Sequence, residues 1–190
     1  MEILLHKAAS ARQQYVDHFI ASLTELRRSD ATAVELLVKP SGRANPAPFC
    51  LCRVDAISGA PDSPRLYRFA AGLDAAGWGL EVSCDGMHLS VDSFSWESLV
   101  VTFGLPGFDM LQLGDWYARW LDVAEVQKPD DNGLSGVVHD LSWDSDQAGQ
   151  WRLIVDLGSA PISALEELLH RLHDLGIDRC SISRGDVDDA

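Results

Sequence analysis

A chain of 190 residues, 46% hydrophobic and 23% charged, has ordinary globular usage and is long enough for one sizeable core or two small ones. Its formal net charge of −14 argues against nucleic acid and anionic membrane as partners and favours cationic ones. No apolar run approaches the roughly 20 residues of a membrane-spanning helix, and the start MEILLHKAASA has too short an apolar core for a secretory leader, so a cytoplasmic protein is expected.

Residues 6–28 place Tyr15, Val16, Phe19, Ile20, Leu23 and Leu26 at helical spacing opposite a polar face, which predicts an amphipathic helix. AVELLVK follows as an apolar strand ended by Pro40-Ser41-Gly42, and GRANPAP is loop by composition. PFCLCRVDAI reads as a second strand and PRLYRFA as a short third. In GLEVSC-DG-MHLSVDSF, Asp85-Gly86 has the chemistry of a type I′ hairpin turn. Pairing across it sets Leu80, Val82 and Cys84 beside Met87, Leu89 and Val91 on one face. Glu81, Ser83, His88 and Ser90 take the other, with His88 a solvated cross-strand residue.

SLVVTFG is a further strand, stopped by GLPG. Residues 110–126 then return to helical spacing, with Leu113, Trp116, Tyr117, Trp120 and Leu121 on the apolar side. The two tryptophans are expected in the core, the alternative being a self-association face. KPDDNG is the clearest loop in the chain. A single domain over 1–190 is expected, with a division into 1–128 and 133–184 as the alternative.

SGVVHDLSW and QWRLIVDL read as two strands joined by DSDQAG. Asp144 and Asp146 fit the first and third places of a calcium loop, but Ala148 stands fifth and no glutamate closes the twelfth, which rejects calcium. The turn Gly158-Ser159-Ala160-Pro161 lacks the glycine spacing of a phosphate cradle and the flanking glycines of a nucleophile elbow. It reads as a strand-to-helix turn, Ser159 capping the helix, Pro161 in its first turn, and Ser163 with Glu166 as an alternative capping box. Helix 162–175, strand DRCSISR and an acidic tail from Asp186 to Ala190 complete the chain.

Cys50, Cys52, Cys84 and Cys180 sit in apolar strand-like settings and are expected as free buried thiols. Cys50-x-Cys52 has no second pair to complete a zinc knuckle. Glu166, His170 and His173 share a helix face without the metalloprotease spacing, and Glu167 with Arg171 makes an ordinary i, i+4 pair. His139 alternates with Val137, Leu141 and Trp143, which predicts a buried, hydrogen-bonded histidine rather than a general base. No metal, cofactor or catalytic residue is assigned.

The element order predicts an α+β fold. Its sheet is mostly antiparallel, carries three amphipathic helices, and ends in a β-β-α-β half that could be ferredoxin-like. Residues 74–146 hold 14 acidic and 2 basic side chains. That excess suggests a non-enzymatic acidic module binding a basic protein, of inhibitor or immunity type, through Asp109, Asp115, Asp122, Glu125, Asp130, Asp131, Asp144 and Asp146. The alternative is a small enzyme or ligand-binding domain. It would use the polar face of the C-terminal sheet, where Asp140, Ser142, Arg152, Asp156 and Arg179 gather with Ser181 and Ser183. A homo-oligomer through the 110–126 helix is a third expectation.

Overall fold

The computed structural model describes residues 1–28, 32–59, 63–69, 77–84, 86–146 and 149–185. A long helix α1 (Glu2–Arg27) precedes a three-stranded antiparallel sheet of β1 (Thr32–Val38), β2 (Cys52–Ser58) and β3 (Arg65–Tyr67), in that spatial order. The remaining strands are β4 (Leu80–Cys84), β5 (Met87–Val91), β6 (Leu99–Gly104), β7 (Asp140–Ser145), β8 (Gln150–Asp156) and β9 (Arg179–Arg184). They form a six-stranded sheet in the order β4-β5-β9-β6-β8-β7. Its one parallel pair is β5 with β9, so the α+β class with mostly antiparallel pairing holds.

Helix α3 (Ile162–Asp174) connects β8 to β9, and β6 lies between those two strands. This is a split β-α-β unit, so strands from before and after the 129–132 loop interleave in one sheet. Alternation along the strands makes the sheet two-faced. Leu89, Val91, Leu99, Val101, Leu141, Leu153, Val155 and Ile182 are all fully buried on the side that packs into the core. Helix α3 closes over this core with Ala164, Leu165, Leu168, Leu169 and Leu172, each 0% exposed. Each such leucine contributes roughly 1.5–3 kcal/mol. Helix α1 packs on α3, and its Arg12 donates to the carbonyls of Ser159 and Ala160.

The hairpin register is the expected one, Leu80 facing Val91, Val82 facing Leu89 and Cys84 facing Met87. Asp85 of the expected Asp85-Gly86 turn lies outside the described residues, as do 147–148 of the 144–149 loop, the tail 186–190 and the Cys84 side chain. His88 is exposed and shares a 3.0 Å hydrogen bond with Ser83.

Two local expectations are corrected. The helix expected over 110–126 is a 3₁₀ turn, Met110–Leu113, running into a short helix α2 (Gly114–Trp120). It ends because Asp122 adopts φ +53° and its carboxylate turns back to accept from Val126 and Gln127 N–H, replacing the bonds a continuing helix would make. The apolar side of α2 is taken up within the chain. Trp116 donates to Ala164 O, Tyr117 to Leu51 O, and Trp120 to Glu167. Glu167 also meets Arg119 at 3.2 Å, while Arg171 donates to Gln112 O instead of pairing with Glu167.

The second correction is the cap of α3. Pro161 occupies the N-cap position and no side chain caps the helix. Ser159 Oγ instead accepts from Gly136 and Val137 N–H, docking the turn on the segment that leads into β7. A capping box does occur elsewhere, between Asp109 and Gln112.

Cys180 lies on the buried side of β9, where burial pushes its thiol up to about 12. Burial also raises the Cys52 thiol, helped by Asp140. Alkylation follows the thiolate, so at pH 8 the half-buried Cys50 should label well before Cys52 and Cys180 in the native protein. Peptide mass mapping of a labelling time course checks this, and prompt labelling of Cys180 would contradict its placement.

Candidate functional site

The eight acidic positions of the middle region do not behave alike. Asp109, Asp115, Glu125, Asp130, Asp131, Asp144 and Asp146 are exposed. Asp122 is 5% exposed and faces the equally buried Arg53 at 3.7 Å, so it is withdrawn from any partner surface. Asp130 is held by its own loop: burial pushes its pKa up, but the hydrogen bonds it accepts from Leu134 and Asn132 N–H, with others in the loop, together outweigh that and lower it.

The residues of the proposed ligand face do share one side of the large sheet. Asp140 stands opposite Asp156, Asp144 opposite Arg152, and Ser181 and Ser183 continue the row across β6. Their charges are compensated at both ends. Asp140 meets Arg43 at 2.7 Å and Arg68 at 3.9 Å, while Arg152 meets Asp144 at 3.4 Å. Arg179 lies exposed beside His88 on the neighbouring strand.

Asp156 belongs to a different cluster, centred on His139. This histidine is 1% exposed, as its alternation with apolar neighbours predicts. Its backbone N–H donates to Asp156 O on β8 and its carbonyl accepts from Arg53 N–H on β2, so residue 139 stitches the two sheets together. Its ring lies among three carboxylates. Nε2 is 2.8 Å from Glu35 Oε1 on β1, and Nδ1 is 2.8 Å from Asp55 Oδ1 on β2 and 3.9 Å from Asp156 Oδ2. The contact to Asp55 is close but poorly angled, and Nδ1 makes no aligned hydrogen bond.

The walls of the cluster are built as specifically as its centre. Phe19 of α1 meets the imidazole edge-on at 5.8 Å. Gly158 lies against the ring so closely that a Cβ there would stand 2.2 Å from Cδ2, and its φ of +52° is itself a glycine conformation. Trp96 Nε1 donates to Gly158 O, fixing that turn. Glu35 reaches inward from the middle of a strand at φ +49°, a left-handed conformation unusual for a non-glycine residue. Nearby, Arg53 donates to the carbonyls of Glu35, Leu121 and Asp122.

Electrostatically the cluster favours bound protons. Burial opposes charge on His139, but the carboxylates of Asp55 and Glu35 more than offset it, and the ring pKa rises well above the usual value. Burial pushes the Asp156 carboxyl up to about 7 against the pull of His139. Burial also raises the Tyr15 hydroxyl well above the usual range, with Asp156 adding to the effect.

Glu35 and Asp55 were invisible to sequence reasoning as site residues, since Glu35 is the one charged residue of an apolar strand and Asp55 alternates with Arg53 in β2 as an ordinary strand polar residue would. The usable signal was His139 on an apolar face, which demands buried partners from somewhere in the chain. No protein-family model, curated protein or solved structure matches this chain.

Two outcomes test this geometry. Gly158→Ala should destabilise the fold by roughly 3 kcal/mol, through overpacking against the imidazole and a strained backbone. A thermal melt indistinguishable from wild type would mean the ring can move aside. The second concerns pH. Asp156 keeps its proton up to about 7, whereas its ordinary value is 3.8. The folded chain therefore binds an extra proton between those values. The stability this group contributes is complete below about 3.8 and lost as pH rises through about 7. Asp156→Asn should stabilise the protein, measured in the presence of chelator, by an amount that grows from pH 4 to pH 8, reaching roughly 2–4 kcal/mol. Denaturant titrations across that range should show the trend, and a flat difference would refute it.

Proposed function

We propose that this chain is a non-enzymatic, acidic protein-binding module that captures a basic protein, in the manner of an inhibitor or immunity-type protein. The observation that carries the reading is the exposure of Asp109, Asp115, Glu125, Asp130, Asp131, Asp144 and Asp146 in a chain of net charge −14. Exposed carboxylates in excess accelerate encounter with a cationic surface and disfavour acidic competitors. Asp115, Glu125 and Asp131 are the strongest members of the set. Asp109 serves its capping box, Asp130 its loop, and Asp144 its pair with Arg152.

The polar sheet face supports an enzyme less well, because Asp140 and Arg152 are each held by an oppositely charged neighbour. The absence of any helix long and apolar enough to cross a membrane, among the described residues, is compatible with the binding reading.

The test is affinity capture from the lysate of the source organism at low and high salt, run in parallel with the variant Asp115→Asn/Glu125→Gln/Asp131→Asn. The expected result is a basic protein retained by the wild type at low salt, weakened at high salt, and bound several-fold more slowly by the variant. Equal retention by both chains, or retention indifferent to salt, would remove the acidic surface from the argument.

A further inference from the structure

The cluster around His139 holds more negative charge than its own residues answer. Glu35, Asp55 and Asp156 converge on one imidazole, and among the described ion pairs His139 is the cationic partner of all three. The nearest buried guanidinium, Arg53, is committed to three backbone carbonyls and to Asp122. Buried charge of one sign needs a counter-charge.

The orientation of the polar atoms is specific. Each carboxylate gives one oxygen to a backbone amide and turns the other towards the ring. Glu35 accepts from Ser135 N–H, Asp55 from Phe69 N–H and Asp156 from Gly158 N–H. Glu35 Oε1 holds Nε2, so Nδ1 is the ring atom left beside the remaining pair. That Nδ1 is buried and makes no aligned hydrogen bond, an exception among interior polar atoms.

We propose that Asp55, His139 and Asp156 form a binding site for one divalent transition-metal cation, zinc foremost, with Glu35 as the residue that orients the imidazole. One ligand atom from each of the three residues lies within 4.8 Å of the others, and the two distances from Nδ1 are 2.8 and 3.9 Å. A cation bound at about 2.0–2.2 Å separates neighbouring ligand atoms by about 3.0–3.5 Å, so small side-chain shifts close the set. One imidazole nitrogen with two carboxylate oxygens suits zinc or manganese better than calcium or magnesium. A ring N–H donated to a carboxylate is the arrangement that fixes the tautomer of a metal-bound histidine. Entry is by way of Asp156, whose side chain is 23% exposed against 6% for Asp55 and 1% for His139.

The test uses the full chain stripped with chelator and titrated with ZnCl₂ by calorimetry, while the His139 ring nitrogens are followed by long-range ¹H–¹⁵N NMR. The expected result is one zinc per chain, a large shift confined to Nδ1 of His139, and a raised Tm. Asp156→Asn and Asp55→Asn should each weaken binding at least tenfold. Circular dichroism and the metal-free melt check that Asp156→Asn is folded. The double variant His170→Gln/His173→Gln should bind as the wild type does. The proposal is overturned by no binding, by a wild-type Nδ1 that does not respond to zinc, or by affinity that survives both aspartate variants. Loss of binding in the His170/His173 variant would likewise overturn it. The NMR signature is read on the wild type, so it holds even where a variant fails to fold.

Discussion

The architecture depends on how two sheets that share no ladder are held in one body. The joint is residue 139. Its amide and carbonyl reach β8 and β2, and its ring reaches the carboxylates of β1 and β2. Arg53 makes a second tie beside it, gathering carbonyls from β1 and from the end of α2. Such buried charges add little net stability compared with apolar packing of the same volume. Removing one partner is costly, because it leaves the others desolvated and alone. The small sheet is therefore placed by direction-dependent bonds in addition to its apolar contacts with the core, whereas the large sheet and α3 are placed chiefly by apolar area.

The same residue type is put to opposite uses. Asp122 ends a helix and sits against Arg53, and Asp55 braces an imidazole, both nearly out of water, with the partly exposed Asp156 beside that ring. Asp115, Glu125 and Asp131 remain exposed, where their charge acts over a distance set by salt. A count of acidic residues along the chain cannot separate these groups. Their difference lies in which carboxylates find backbone amides and a cation within reach once the chain is folded.

Periodicity carried much of the architecture into the sequence. The period-2 runs around 85–86 set the hairpin register, and the leucines of 162–175 mark the buried side of α3 correctly. Where the reading failed, a tertiary bond had replaced a local one. Residues 121–126 keep helical spacing, but Arg53 takes the carbonyls at the end of α2 and Asp122 turns the chain. Ser159 has the composition of a helix cap, yet two amides from residues 136–137 claim its hydroxyl. The candidate site was half legible. His139 announced a buried polar centre and Asp156 stood on a polar face. Glu35 could not be placed, because its inward turn depends on a positive φ within a strand pattern that alternation does not reveal.

The position of β9 has a consequence for how the chain is made. It follows every other described strand in sequence but lies between β5 and β6, near the middle of the large sheet. Until residues 179–184 leave the ribosome, β4-β5 and β6-β8-β7 are two fragments, each with an open strand edge waiting for the same insert. The sheet is thus completed only once β9 has been made, and the earlier strands pass through synthesis with edges that invite pairing with other chains. A nascent chain of this design benefits from whatever shields those edges until β9 arrives.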